Sequence, residues 1–383
     1  MNITTLIKML FLLLTKGLKS NLDMIRLTNL RCHNSEKVIG WHKGYPSFSL
    51  LTPPVLSSAS TNGISTRLAS LYQWRSLPEL INIAVTDECN CSCHHCSFLS
   101  MKKEDRLLTT EEVKSVVKQA QQLGVASVNF LGGEPLLRDD IVELVGYVNK
   151  RLSQVIMFTN GYFLEERIAD LKAAGLTSVI VSIDSFRPEV HDAKRGLTGL
   201  FPKAIKGIKA AQKLKLLVGI STVVTKDDIA NGNLDNLIEM GKSLKVNEII
   251  VFDAIPTGGY LCRQNLIGDQ PHLEDLIALS EKYNRDSSYP GIYAYSYAKS
   301  PRGLGCLGGV SYFYVSPYGD VCPCDFNPMS VGNIRNSSLP RLWDSMSGHK
   351  EFARSSWHGC KMQDRRFREE YRYQIENKRF DTH

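Results

Sequence analysis

From Leu80 onward the chain alternates short apolar runs with stretches of helical period six times over, a rhythm that restricts it to a parallel sheet covered by helices. The apolar runs are 80–86, 127–131, 155–159, 178–183, 217–224 and 248–252. Helical stretches separate them at 139–151, 164–174 (closed by Gly175), 201–214 and 234–244, after a first helix opened by the capping-box pattern Thr109-Thr110-Glu111-Glu112 ahead of Val113, Val116 and Val117. The expected fold is therefore α/β, a partial (β/α)6 barrel of parallel strands. Ligands of such sheets gather at the carboxyl ends of the strands. Cys89, Gly132, Asn160, Asp184 and Pro256 all fall there.

The loop after the first run reads Cys89-Asn90-Cys91-Ser92-Cys93-His94-His95-Cys96. Cys89, Cys93 and Cys96 have the spacing C-x3-C-x2-C, which lets one short loop set three thiolates around a cubane iron–sulfur cluster and leaves one of its irons open to an outside ligand. Short Cys and His spacings also suit a zinc knuckle. The next run decides between them, because it leads into Gly132-Gly133-Glu134-Pro135. Two glycines let backbone approach a ligand closely, and a carboxylate can meet an ammonium.

This pairing, one strand and one helix apart, resembles the radical S-adenosylmethionine (radical SAM) superfamily. The resemblance implies a [4Fe–4S] cluster on Cys89, Cys93 and Cys96 whose open iron chelates the amino and carboxylate groups of SAM. It also implies reductive cleavage to a 5′-deoxyadenosyl radical, a one-electron reductant such as flavodoxin or ferredoxin, and hydrogen abstraction from an organic substrate. Gly132, Gly133, Glu134 and Pro135 would then form the turn that holds the SAM amino group. Thr159-Asn160-Gly161 matches the TNG turn of peptide- and cofactor-modifying members and is also an ordinary Asn-Gly turn. Ser182 and Asp184 suit ribose hydroxyls and Arg195 suits a carboxylate, whereas His191 and Asp192 read better as a loop brace. His95, just before the third cysteine, is expected against adenine, and Cys91 is expected to be a bystander.

Beyond residue 290 the rhythm changes to short strands and turns, with a hairpin indicated over 311–324. Cys306, Gly319 and Cys324 have the spacing that opens SPASM and twitch auxiliary-cluster domains, and Gly332-Asn333-Ile334 with Leu339-Pro340-Arg341-Leu342-Trp343 resembles their later part. A structural zinc site is the alternative. The resemblance implies a small carboxyl-terminal auxiliary iron–sulfur domain with at most one further [4Fe–4S] cluster, on Cys306, Cys324 and Cys360, with Cys322 either a fourth ligand or incidental. If Cys322 is incidental, the auxiliary cluster has an open iron.

The expected organisation is thus an amino-terminal extension over 1–78, a radical SAM barrel over 79–290 and an auxiliary-cluster domain with a basic tail over 291–383. The extension holds the apolar run Met9–Leu14 among Lys8, Lys16 and Lys19, too short to span a bilayer; a helix packed on the barrel, a helix lying on an anionic membrane and an organelle presequence are all compatible with it. Residues 40–67, rich in Pro, Ser, Gly and Thr, read as an extended arm. The tail from Arg365 reads as a solvated helix. Ten cysteines gathered mostly in tight groups suit a reducing, cytoplasmic setting, with a membrane surface as a further option. A formal net charge of +7 is too mild to argue for nucleic acid, so a cluster-bearing nucleic-acid-binding protein is the weaker functional reading. The substrate stays open among a ribosomal peptide, a cofactor precursor and a lipid-like molecule.

Overall fold

A computed structural model describes residues 37–377 except 74, 101–105, 262, 264–265, 269, 301 and 353–358. The apolar run at 9–14, the membrane reading that rests on it, Cys32 and Cys262 lie outside the described residues.

Two short strands, β1 (Gly40–His42) and β2 (Tyr45–Ser47), form a hairpin of their own. The barrel strands follow as β3 (Leu80–Ala84), β4 (Ser127–Leu131), β5 (Gln154–Thr159), β6 (Ser178–Ser182), β7 (Leu217–Val224) and β8 (Glu248–Asp253). These are the six expected. Beyond them come β9 (Gly291–Ala294), β10 (Tyr312–Val315) and β11 (Val321–Cys322). The main sheet has the order β11-β10-β3-β4-β5-β6-β7-β8-β9, parallel throughout except for β11. Two further parallel strands, β10 and β9, extend the six at either flank. Across the boundary expected at 290, β9 pairs with β8 and β10 with β3, so sheet hydrogen bonds run directly from the barrel into the auxiliary region.

Strand alternation explains the layering. Ile81, Ile83, Val128, Phe130, Val155, Met157, Val179, Val181, Val218, Ile220, Ile249 and Val251 are buried in one cluster with the apolar faces of the outer helices. The intervening residues point into the barrel. Its lower interior is filled by Ile156, Ile180, Leu217 and Ile250, and its upper interior is left open by Asn129, Phe158, Ser182, Ser221 and Phe252. The helix Thr110–Gln122 opens with the expected capping box, Thr109 Oγ1 accepting from Glu112 N and the Glu112 carboxylate accepting from Thr109 N. The second expected helix is shorter, Ile141–Tyr147, and ends at Val148, whose backbone leaves the helical range.

The arm is where the sequence misled. Residues Ser58–Gln73 form a helix across the base of the barrel. Its Ser, Thr and Gly residues give no apolar stripe because its contacts are polar: Asn62 Nδ2 donates to Leu152 O (2.9 Å), Thr66 Oγ1 donates to Gly124 O (2.8 Å), and Arg67 pairs with Glu79 at 2.6 Å. Ahead of it Leu50 plugs the lower mouth, packed among Ile156, Ile180, Leu217 and Ile250. The Glu248 carboxylate fixes the plug by accepting from Leu50 N (2.8 Å) and Ser49 Oγ (3.2 Å).

Burial pushes the Glu248 carboxyl up to about 8 against those two donors. A carboxyl whose folded pKa lies above its unfolded value is tolerated fully only while protonated in both states, so its contribution to stability declines between about pH 4.5 and 8 at roughly 1.4 kcal/mol per pH unit and is level above that. We expect urea midpoints of the wild type to fall from pH 5 to pH 8, and Glu248→Gln, which keeps an oxygen for Leu50 N and carries no charge, to flatten part of that fall. An identical pH dependence in both proteins would contradict the assignment.

At the carboxyl end the expected hairpin forms, β10 pairing antiparallel with β11. Trp343 is fully buried against Phe313 (ring centroids 5.3 Å) and donates from Nε1 to Ser76 O at 2.9 Å. In the basic tail the helix Arg365–Glu370 exposes Arg365 and Arg366 but buries Phe367, so it is a packed element with one solvated face.

Candidate active site

The cysteine loop sits over the carboxyl ends of the strands, clamped from both sides. Ser92 N donates to Arg195 O (2.9 Å) and His94 N to Lys194 O (3.4 Å), so the end of the helix Pro188–Arg195 holds one edge. On the other edge the turn after β8 brings Gly258 and Gly259 against the loop, with Gly259 N donating to Cys96 O at 3.2 Å. A Cβ on Gly258 would lie 1.9 Å from Cys96 O, and one on Gly259 1.9 Å from His94 O. Only glycine fits at either position. In the sequence the signal for this clamp is the glycine pair Gly258-Gly259 just after Pro256, which the strand-end pattern alone does not single out.

Under the loop lies a cavity of about 1110 Å³. Cys89, Cys93 and Cys96 all reach it, as do Gly132, Gly133, Asn160, Ser182 and Arg195. Three unpaired thiols on one clamped loop, at the mouth of a cavity roomy enough for SAM and a second molecule, fit the cluster that their spacing implies. Cys91 also reaches the cavity, but its sulfur accepts from Asn160 Nδ2 at 3.4 Å. Asn160 Oδ1 meanwhile accepts from Tyr162 N at 2.9 Å, so the TNG segment is both a local Asn turn and a brace for the cysteine loop.

Three expected contact residues stand behind this wall rather than on it. Glu134 is fully buried, its carboxylate accepting from Thr159 Oγ1 (2.7 Å), Asn160 N (2.7 Å) and Leu136 N (3.1 Å). It ties the GGEP turn to the TNG turn, and burial pushes its carboxyl up to about 7 despite those donors. Pro135 is buried beside it. Asp184 is also fully buried: Arg195 Nε lies 2.6 Å from its Oδ2, His95 Nε2 lies 3.5 Å from the same oxygen, and Val223 N donates to Oδ1 at 3.2 Å. Burial alone would raise the Asp184 carboxyl, but Arg195 and then His95 hold it well below the usual range. Asp184 therefore orients Arg195, whose Nη1 comes within 3.9 Å of Cys93 Sγ. His191 and Asp192 are the loop brace expected, His191 Nδ1 accepting from Asp184 N and Asp192 accepting from Gly199 N and Phe201 N.

The far side of the cavity belongs to the carboxyl-terminal region. Phe252 stacks on Tyr295 with centroids 4.3 Å apart, and Tyr293 and Phe326 extend this aromatic wall. Asp325 lies on the cavity, accepting from Asn82 Nδ2 at 3.2 Å, and burial raises its carboxyl. Lys299 and Cys306 stand nearby on the same surface. None of the aromatic wall, Asp325 or Lys299 carries a spacing signal, because the wall forms only where the flanking strand β9 meets the loop after Cys324.

Cys306, Cys324 and Cys360 together line a second, small cavity beside the main one. Cys322 is not among them. It is buried between Ala84 and Tyr314, within 3.8 Å of Pro328 O. The structure thus gathers three of the four expected auxiliary cysteines, and their convergence from distant parts of the chain fits a cluster.

Comparison with known proteins bears on both regions. The family model for the radical SAM superfamily matches residues 83–231, and a model described as an iron–sulfur cluster-binding domain, SPASM, matches 306–374. The AdoMet-dependent heme synthase of Methanosarcina barkeri (strain Fusaro) is 29% identical over 292 residues, covering 70% of this chain and 82% of that protein. A GTP 3′,8-cyclase of Peptoclostridium acidaminophilum is 32% identical over 240 residues, covering 60% and 71%. In fold the chain is similar to Streptococcus suis SuiB bound to S-adenosylmethionine (TM-score 0.58, 19% identity, 74% of this chain and 70% of that one) and to anSMEcpe with bound AdoMet (TM-score 0.55, 20% identity, 79% and 97%). With both family models matching over the two cysteine groups that the fold sets around one cavity, the chain belongs to the radical SAM superfamily, as an enzyme of its SPASM-containing branch that uses SAM and [4Fe–4S] clusters.

Proposed function

We infer that this enzyme abstracts hydrogen from a bulky organic molecule of the cofactor-precursor class, held in the main cavity between the Cys89–Cys96 loop and the Cys306 loop. The observation that carries this reading is the cavity itself: about 1110 Å³, with cysteines of one cluster set at its mouth, a cysteine of the other on its far side, and the Phe252–Tyr295 stack between. When bound, SAM and the reduced cluster supply a 5′-deoxyadenosyl radical able to take hydrogen from an unactivated carbon.

The chain's own residues hold and shield that chemistry. Cys89, Cys93 and Cys96 would ligate the cluster that binds SAM. Gly132 and Gly133 leave backbone room for the SAM amino group, and Asn160, Ser182 and Arg195 line its surroundings, with Glu134 and Asp184 fixing these from behind. Cys306, Cys324 and Cys360 would hold the auxiliary cluster with one iron free of thiolate. A reductant such as flavodoxin or ferredoxin would deliver the electron. Leu50 fills the lower interior among Ile156, Ile180, Leu217 and Ile250, and the arm residues Leu51, Pro53, Gly63 and Ile64 line the cavity beside it.

Flat aromatic side chains that line the same cavity as polar Asn129, Ser221 and Thr222 suit a ring system bearing polar groups better than an acyl chain. The names of the relatives, a heme synthase and a GTP cyclase, agree with that class. The test is substrate-stimulated formation of 5′-deoxyadenosine by reduced enzyme, across tetrapyrroles, purine nucleotides, short peptides and isoprenoid lipids. Stimulation of about tenfold or more by a ring-bearing precursor is expected, and stimulation by lipids or peptides alone would overturn the substrate class.

A further inference from the structure

Lys299 ends the helix Tyr295–Lys299 in an unusual setting. It is 8% exposed, and its Nζ is buried without a hydrogen-bond partner. The nearest opposite charge is Asp253 Oδ1 at 3.5 Å, an oxygen that likewise has no hydrogen bond. The Tyr295 ring lies 5.2 Å away. An ammonium carries three donors and is costly to bury without acceptors, so the polypeptide alone leaves this group incomplete.

The backbone shows what stands beside it. Leu304 N and Gly305 N both donate to Ala298 O (2.9 and 3.1 Å), which folds the Cys306 loop back onto the end of the lysine's helix. Gln363 donates its side-chain amide to Asp253 Oδ2 and its own N–H to Cys360 O (2.9 Å), which ties the Cys360 turn to the same ion pair. Two of the three auxiliary cysteines are thus fastened to elements that carry Lys299 and Asp253. Burial works against the charge on this ammonium, and Asp253 with Cys360, Cys306 and Cys324 more than offsets it, so its pKa lies above the ordinary lysine value. Asp325 interacts with it from the next loop, and Lys361, the cation that lines the small cavity, is paired with Glu351 at 2.7 Å.

We propose that Lys299 tunes the auxiliary cluster: its ammonium supplies positive charge and N–H donors to the cluster held by Cys306, Cys324 and Cys360 and raises that cluster's reduction potential, with Asp253 limiting the rise. This rests on the auxiliary-cluster reading given above. A nearby cation stabilises the reduced, more negative form, and donors to cluster sulfur act in the same direction. Lys299 lines the main cavity, but its Nζ is not accessible there.

The experiment is a redox titration of the reconstituted full chain followed by electron paramagnetic resonance, with added SAM identifying the signal of the cluster it ligates. In Lys299→Met the auxiliary cluster should be about tenfold less reduced at a fixed poise, close to 59 mV for one electron. The SAM-binding cluster should not shift, and Lys299→Arg should stay near wild type. Asp253→Asn should move the auxiliary potential upward, and it decides the matter if Lys299→Met fails to retain iron. Auxiliary potentials unchanged in the iron-replete variants would overturn the proposal, even if substrate turnover fell. Wild-type protein with only one cluster's iron would instead sink the auxiliary-cluster reading itself.

Discussion

Replacing Cys89, Cys93 or Cys96 by alanine is expected to abolish reductive cleavage of SAM, while Cys91→Ala keeps it. Three thiolates on one loop leave a single iron for SAM, so losing any one removes the site rather than weakening it. Cys91 reaches the same cavity, but its sulfur already accepts from Asn160, and a fourth thiolate would close the iron that SAM needs. The check is 5′-deoxyadenosine released by dithionite-reduced, reconstituted protein. A Cys91→Ala protein as dead as the other three would show that the ligand set is chosen wrongly.

The second large effect involves no cysteine. Gly258→Ala should cost the enzyme its SAM-binding cluster, with iron falling by about four atoms per chain. The added methyl would sit 1.9 Å from Cys96 O and 2.8 Å from the Cys96 carbonyl carbon, both backbone, so the clash is relieved by parting the turn from the loop that carries the thiolates, which undoes the clamp. The positive φ of 51° at Gly258 adds strain for any other residue. Gly348→Ala, where nothing lies within 4 Å, is the matched control and should leave iron content unchanged. Full iron in Gly258→Ala, measured beside that control, would mean the clamp on the loop is not needed.

The sequence made the barrel legible because its signals were local. Each of the six strands is a short apolar run containing β-branched residues, and Ser127–Leu131 and Leu217–Val224 run as expected to the residue. The cysteine loop and the GGEP turn were legible for the same reason, since spacing within eight residues survives without a structure. What sequence could not show depends on contacts across the chain. The helix Ser58–Gln73 has no apolar stripe to announce it, as its anchors are Asn62, Thr66 and Arg67 reaching polar groups of the barrel. The strand β9 is only four residues long and gains its place from pairing with β8. Likewise, Glu134 and Asp184 have the residue types of ligand contacts, and only their burial and existing partners reveal them as supports. Cys322 lies two residues from Cys324, yet it packs against Tyr314 and away from the small cavity.

We propose that two separate cysteine sets hold two cubane clusters around one cavity. It is tested most directly by iron, sulfide and zinc analysis of the anaerobically reconstituted chain beside the Cys306→Ala, Cys324→Ala, Cys360→Ala triple variant. About eight iron and eight sulfide per wild-type chain are expected, about four of each in the triple variant, and about eight in Cys322→Ala. Stoichiometric zinc in the wild type, or a triple variant that keeps its full complement of iron, would contradict it.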